Sequence, residues 1–202
     1  MSARDDILGR VRSALAAVEP DPAPVTAPPG TRVADLVAHF AERVADYRAT
    51  VVHCAAGDVA GTVAAALPAG ARVVVPPGLP DDLRSALADV IVDDGLSADA
   101  LDAMDAVVTC CRVAIAETGT IVLDHAPDQG RRAVTLVPDR HVCVVRADQV
   151  VADVADALAV LDPGRPLTWI SGPSATSDIE LDRVEGVHGP RVLHVIVVGE
   201  AG

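Results

Sequence analysis

Residues 72–109, RVVVPPGLPDDLRSALADVIVDDGLSADALDAMDAVVT, alternate short apolar runs with segments of helical character. The apolar runs are rich in Val and Ile, which suit buried strands. They lie at 72–75, 90–92 and 106–109, and the helical segments between them lie at 80–88 and 97–103. Continuous apolar strands separated by helices predict βαβ units and a mainly parallel, doubly wound α/β sheet that is buried on both faces.

The same alternation begins upstream, with a predicted strand at 50–53 and a helix at 57–66. After residue 110 the pattern changes, because the next apolar runs leave no room for crossover helices. These runs lie at 113–116, 120–123, 133–137 and 142–145. We therefore expect hairpins or antiparallel additions to the sheet in this part of the chain. A helix at 148–161 and strands at 167–171 and 192–198 complete the prediction.

The first thirty residues have a different organisation. Ile7, Val11 and Leu15 recur at helical spacing and predict a helix over residues 3–18. Five prolines between residues 20 and 29 then exclude helix and central strand. We expect residues 1–30 to form a helix and a Pro-rich linker, and residues 31–202 to form the α/β domain, which opens with a helix at 33–47.

The composition excludes several function classes. The 202-residue chain has a formal net charge of −13, which disfavours nucleic acid and anionic membrane surfaces as partners. All 16 basic residues are arginines, so Schiff-base chemistry and a P-loop lysine are excluded. Phe40, Tyr47 and Trp169 are the only aromatic residues, too few for a base-stacking surface.

The four cysteines lack the spacing of a metal site. Cys110 and Cys111 are adjacent, whereas Cys54 and Cys143 are isolated, so neither a zinc site nor an iron–sulfur cluster is expected. We expect no metal and no resident cofactor in this chain. The polar start and the absence of a long apolar segment predict no membrane span, a cytoplasmic location and reduced thiols.

The first candidate site is the turn Glu117-Thr118-Gly119-Thr120 between two apolar runs. A carboxylate at a strand end could be desolvated, which would raise the pKa of Glu117 and suit it to work as a base or nucleophile. The alternative is a structural turn in which Gly119 supplies backbone freedom and Thr118 caps.

The second candidate is the polar loop 124–132, which ends in Arg131 and Arg132. Paired guanidinium groups can hold a carboxylate or a phosphate, although paired arginines are also common as plain surface charge.

The third candidate is the segment 171–180, where Gly172, Ser174, Thr176 and Asp178 follow a predicted strand. Small hydroxyl residues and free backbone N–H groups could cradle an anion, or could simply cap a helix. The fourth is His188, which precedes Gly189 and could transfer protons or serve only as a structural histidine.

Taken together, the four candidates resemble the LUD domain family in their order along the chain. The matching motifs are AETGTIVL at 116–123, GRRA at 130–133, PDRHVCVV at 138–145, SGPS at 171–174 with DIE at 178–180, and GVHGP at 186–190. The motifs fall between about residue 112 and residue 198, and the N-terminal half matches only in its pattern of elements.

The resemblance implies a fold like that of the NagB/RpiA/CoA-transferase group. It also implies a role in oxidising L-lactate to pyruvate together with two partner proteins that carry the iron–sulfur centres. Arg131 or Arg132 would then hold a carboxylate, and Glu117 and His188 would transfer protons. The remaining candidates would form an anion cradle: Thr118, Gly119, Thr120, Gly172, Ser174, Thr176, Asp178 and Gly189.

Two alternatives remain open at this point. CoA transferases of the related fold use a glutamate nucleophile, so Glu117 could serve a stand-alone acyl-transferase or isomerase as nucleophile or base. The chain could also be a non-catalytic scaffold whose helix at 3–18 and Pro-rich tether recruit the partner proteins.

Overall fold

A computed structural model of the chain describes residues 2–18, 33–176, 184–185 and 189–199. The helices are α1 Ala3–Leu15, α2 Leu36–Asp46, α3 Val59–Ala65, α4 Asp81–Ser85, α5 Ala98–Asp102 and α6 Val154–Val160. The strands are β1 Thr50–Ala55, β2 Arg72–Val75, β3 Asp89–Val92, β4 Ala106–Cys110, β5 Val113–Ile115, β6 Thr120–Leu123, β7 Arg140–Arg146, β8 Val150–Val151, β9 Thr168–Ile170, β10 Ala175–Thr176, β11 Val184–Glu185 and β12 Val192–Gly199.

The central sheet has six strands in the order β1-β12-β7-β4-β2-β3, and every pair in it is parallel. Its inner strands are apolar on both faces; Val74 and Val107 are fully buried on one face, and Val108 on the other. Burial on both faces is what a run of β-branched residues without alternation indicates. The predicted α/β class with a mainly parallel sheet is confirmed.

A second sheet, in the order β8-β5-β6-β9, lies beside the first. The pairs β5–β6 and β6–β9 are antiparallel, which confirms the predicted change of strand pairing after residue 110. β5 pairs in parallel with β8. A short antiparallel pair, β10–β11, accompanies these two sheets.

Three predictions about this second half of the chain were wrong. The run at 133–137 is not a strand, because residues Arg132–Thr135 form a 3-10 helix that buries Val134. The run at 142–145 is not an antiparallel addition, because β7 lies at the centre of the parallel sheet between β4 and β12. The helix predicted at 148–161 begins only at Val154, since β8 and a polar turn precede it.

The helix α2 attaches the start of the domain to the core. Asp35 caps it by accepting a hydrogen bond from the Ala38 N–H at 2.9 Å, and its apolar face buries Phe40 and Val44 completely. Phe40 belongs to the same cluster as Ile121 of β6. The helix therefore contacts the part of the chain that carries the first candidate turn.

The helix α1, Ala3–Leu15, lies within the range 3–18 over which the sequence predicts a helix. Ser2 and Asp5 form a capping box at its start, and none of its residues is buried. The Pro-rich stretch at 20–29 lies outside the described residues, so the division at residue 30 stays a prediction. Within the described part of the chain, none of the helices is both long and apolar enough to cross a membrane.

Candidate functional site

A cleft of about 240 Å³ opens near the amino ends of β7 and β12. One wall is the segment 168–174, which consists of β9 and the four residues after it. Another is the 3-10 helix at residues Arg132–Thr135, and Gly189 and Pro190 close a third side. The lining residues are Arg132, Thr135, His141, Thr168, Trp169, Ile170, Ser171, Gly172, Pro173, Ser174, Gly189, Pro190 and Leu193.

His141 is the buried titratable group of this cleft. It is only 1 % exposed, and its Nε2 lies 2.8 Å from the hydroxyl of Thr109 on the neighbouring strand β4. The Thr109 hydroxyl can donate to Cys143 Sγ, 3.9 Å away, and its oxygen can accept from His141 when Nε2 carries the proton. In that tautomer the lone pair of the ring lies on Nδ1.

Arg132 supplies the positive charge of the cleft. Its Nη1 reaches the hydroxyl of Thr135 at 3.5 Å. Burial lowers the pKa of Arg132 below its usual value, yet a guanidinium stays protonated at neutral pH. The guanidinium can pair with a small carboxylate, and the imidazole of His141 can accept a proton from a neighbouring hydroxyl group.

A row of hydroxyl groups connects the predicted turn with the cleft wall. Thr118 Oγ1 lies 2.7 Å from Thr120 Oγ1, which in turn lies 2.8 Å from Ser171 Oγ. Ser171 lines the cleft, whereas the two threonines stand behind it. The Ser174 N–H donates to the Pro190 carbonyl at 2.8 Å, which joins two walls.

Two glycines allow the walls to approach α2 closely. Gly119 has a φ of +58°, and a Cβ there would lie 2.7 Å from the Arg43 carbonyl carbon. Gly172 has a φ of +84°, and a Cβ there would lie 2.5 Å from Tyr47 Cβ. Both positions combine left-handed backbone with close packing, so neither tolerates a side chain without strain.

Comparison with known proteins shows which family the chain belongs to. A model of the LUD domain matches residues 85–198, which include the 3-10 helix, β7 and the walls of the cleft. The chain belongs to the LUD domain family. A lactate utilization protein C from Deinococcus radiodurans is 49 % identical over 205 residues, covering 98 % of this chain and 96 % of that protein.

More distant relatives match a smaller part of the chain. Proteins named lactate utilization protein C from Bacillus licheniformis and Bacillus subtilis are 34 % and 32 % identical over about half of this chain, at 41 % and 42 % of their own lengths. A crystal structure of a DUF162 family protein from Deinococcus radiodurans matches with a TM-score of 0.69 and 45 % identity. It covers 82 % of this chain and 98 % of that one.

The LUD fold brings some of the sequence-predicted residues together in the cleft. Arg132, Gly172, Ser174 and Gly189 line it. Thr118, Gly119 and Thr120 support its wall from behind. The backbone of Thr176 lies in β10, while Asp178 and His188 lie outside the described residues.

Two predicted residues lie elsewhere. Glu117 is exposed in the turn between β5 and β6 and does not line the cleft, so the desolvated strand-end carboxylate that we expected is not present. Arg131 donates to both carboxylate oxygens of Asp93, each at 2.8 Å, and to the Leu96 carbonyl. It ties β3 to the 3-10 helix and is committed to that ion pair.

His141 was not among the site residues predicted from the sequence. It precedes the apolar run at 142–145, where a single histidine suggests a structural role. The available signal was a histidine at the start of a continuous apolar strand, together with the polar Thr109 inside another. Among the described residues, no group of His, Cys, Asp and Glu has the geometry to hold a metal ion.

Proposed function

We propose that this chain works in lactate utilization and that its cleft binds L-lactate while the substrate is oxidised to pyruvate. Two observations support the proposal. A relative that shares nearly its full length is named lactate utilization protein C. The cleft offers a guanidinium, Arg132, and a buried imidazole, His141, which are the two groups that a 2-hydroxycarboxylate requires.

In this proposal the substrate carboxylate pairs with Arg132 through charge-assisted hydrogen bonds. The 2-hydroxyl then faces His141, whose Nδ1 lone pair accepts the hydroxyl proton as general base. Thr109 holds the ring in the required tautomer through its 2.8 Å contact with Nε2. Trp169 and Leu193 form apolar surface beside the substrate methyl group.

The oxidation releases two electrons and two protons in total. The resemblance assigns the iron–sulfur centres to partner proteins, and these would accept the two electrons. His141 takes the hydroxyl proton, and the C2 hydrogen leaves as hydride to a two-electron acceptor on the partner proteins, from which the two electrons would pass to the iron–sulfur centres. The chain's own contribution is therefore to bind, to orient and to deprotonate the hydroxyl group.

The proposal is tested by lactate oxidation in the complex reconstituted with its partner proteins. Arg132→Met should raise the KM for lactate at least about tenfold, because a charge-assisted pair is lost. His141→Gln should lower kcat by about 10²-fold or more. Arg84→Gln, in an ion pair with Asp81 on α4, and His53→Gln, at an exposed position, serve as matched controls. Unchanged kinetics in both cleft variants would refute the proposed site.

The scaffold role also has a specific observation in its favour. The side chains of Ile7, Val11 and Leu15 form one face of α1 and are 61 %, 47 % and 57 % exposed. We propose that this face recruits the partner proteins. Deleting residues 1–30 should then abolish co-purification and leave the thermal transition of the α/β domain in place. Retained co-purification would assign the contact to the domain itself.

A further inference from the structure

A second cleft of about 360 Å³ lies at the carboxyl ends of β4 and β7. Residues just after β4 and at the end of β7 line it, including Arg112 and Arg146. His141 of the first cleft and Arg146 of the second are five residues apart on β7, which corresponds to roughly 16 Å along a strand. In open α/β sheets, ligands bind outside the carboxyl ends of the strands.

Arg112 brings a positive charge to this cleft, whose lining also carries acidic side chains. Its Nη2 donates to the Val160 carbonyl at 3.1 Å, and it forms no ion pair within the described part of the chain. Arg146 also lines the cleft; its Nε and Nη2 donate to Asp148, which leaves Nη1 available. Two guanidinium groups can therefore donate to one ligand.

Gln129 adds a donor with a fixed direction. The side chain is only 2 % exposed, and its Oε1 accepts the Asp124 N–H at 2.7 Å. This bond determines the orientation of the amide and leaves Nε2 without an acceptor among the described residues. The amide nitrogen of Gln129 can therefore donate to an acceptor bound in the cleft.

The acidic residues of the cleft limit the chemistry of the ligand. Asp124 pairs with Arg165 at 3.4 Å, whereas Asp128 and Asp162 line the cleft as well, so a ligand that carried only negative charge would meet repulsion. Carboxylates accept hydrogen bonds from hydroxyl groups at little cost. A ligand that presents carboxylates to the arginines and a hydroxyl to the aspartates satisfies both sets.

We propose that this cleft binds a small hydroxylated polycarboxylate. One carboxylate accepts from Arg112 and Gln129, a second accepts from Arg146, and the hydroxyl group donates to Asp128 or Asp162. The site is separate from the lactate cleft and needs neither its residues nor the partner proteins. It would place a second metabolite within about 16 Å of the first one along β7.

Isothermal titration calorimetry of the full chain tests the proposal with malate, succinate and inorganic phosphate as probes. Malate should bind at least about tenfold more tightly than succinate, which lacks the hydroxyl group. If phosphate binds as tightly as malate, the site takes oxyanions in general and the hydroxycarboxylate assignment is wrong. The absence of binding by malate would overturn the proposal.

Three variants locate the binding. Arg112→Gln and Gln129→Glu should each weaken malate binding about tenfold or more. Gln129→Glu keeps an oxygen for the Asp124 N–H but replaces the donor with a negative charge. Arg72→Gln, in an exposed ion pair with Asp105, should change nothing. Binding that is abolished by Arg132→Met and retained in Arg112→Gln would place malate in the first cleft and overturn the proposal.

Discussion

Thr109 and His141 contact each other across two strands of the parallel sheet, with Oγ1 2.8 Å from Nε2, and both side chains are at most 1 % exposed. A buried pair of this kind is strongly held, because either group would otherwise lose its hydrogen bond in a medium without water. His141 lines the cleft, and Thr109 lies behind it. The function of the pair in the proposed reaction is to keep the proton on Nε2 and the lone pair on Nδ1.

Thr109→Val is therefore expected to reduce kcat for lactate oxidation about tenfold and to leave the KM for lactate nearly unchanged. The isosteric valine removes the acceptor of the Nε2–H bond and so releases the ring to both tautomers. Thr109→Ser should restore most of the rate. Nitrogen NMR shifts of His141 provide a readout that a purely structural role would not change. An unaltered tautomer population in Thr109→Val would contradict the positioning role.

Much of the fold could be predicted from the sequence because the central strands are buried on both faces. The runs at 72–75 and 106–109 correspond to β2 Arg72–Val75 and β4 Ala106–Cys110 within one residue. Such runs lack alternation and are bounded by Pro, Gly or Asp, so their limits are visible locally. Whether a run pairs in parallel at the centre of the sheet or at its edge depends on strands that are distant in the sequence. For this reason the position of β7 in the sheet was predicted wrongly.

The failed prediction at 133–137 has a local cause. An apolar run of this length is compatible with a strand and with a buried turn of helix. The decision is made by Arg131, whose ion pair with Asp93 fixes the start of the segment against β3. That contact spans 38 residues and has no signature in the sequence.

The candidate site was predictable in part for a similar reason. Gly172, Ser174 and Gly189 lie in loops, where small polar residues indicate ligand contact. All three were predicted as site residues, and all three line the cleft. His141 lies inside a strand, where its type suggests core packing. Only the three-dimensional arrangement shows that the start of β7 borders a cleft.

Gly119→Ala should lower the free energy of unfolding by at least about 2 kcal/mol. Its Cβ would meet the α2 backbone at 2.7 Å and 2.8 Å, and its φ of +58° disfavours any side chain. Gly61→Ala in α3 is the matched control, because a Cβ there has no neighbour within 4 Å. It should stabilise the protein by about 0.5–1 kcal/mol. Urea unfolding measures both, and equal effects would contradict the packing argument.

Arg131→Met should cost about 1–3 kcal/mol at pH 7, because it leaves the buried Asp93 carboxylate unpaired. The hydrogen bonds from Arg131 lower the pKa of Asp93 in the folded protein. The pair therefore stabilises the native state above about pH 4, and its contribution is lost as the pH falls through the folded pKa.

The control is Arg43→Met, whose pair with Asp46 is exposed at both ends. This substitution should lower the free energy of unfolding by less than about 1 kcal/mol. A pH-independent loss in Arg131→Met would refute this account.

His194 should make the protein less stable in mild acid. Its Nε2 is buried and has no hydrogen-bond partner in the described part of the chain. Burial, together with the charge of Arg140, lowers the pKa of His194 in the folded state. The unfolded chain therefore binds the proton more tightly, so stability is complete above the unfolded pKa of about 6.5 and declines below it. His194→Leu removes both the unpartnered nitrogen and the titration, and should reduce the loss of stability between pH 7.5 and pH 5 in chemical unfolding. His53→Gln, at an exposed position of β1, should keep the wild-type pH dependence. If His194→Leu retains it as well, the acid sensitivity arises from another group.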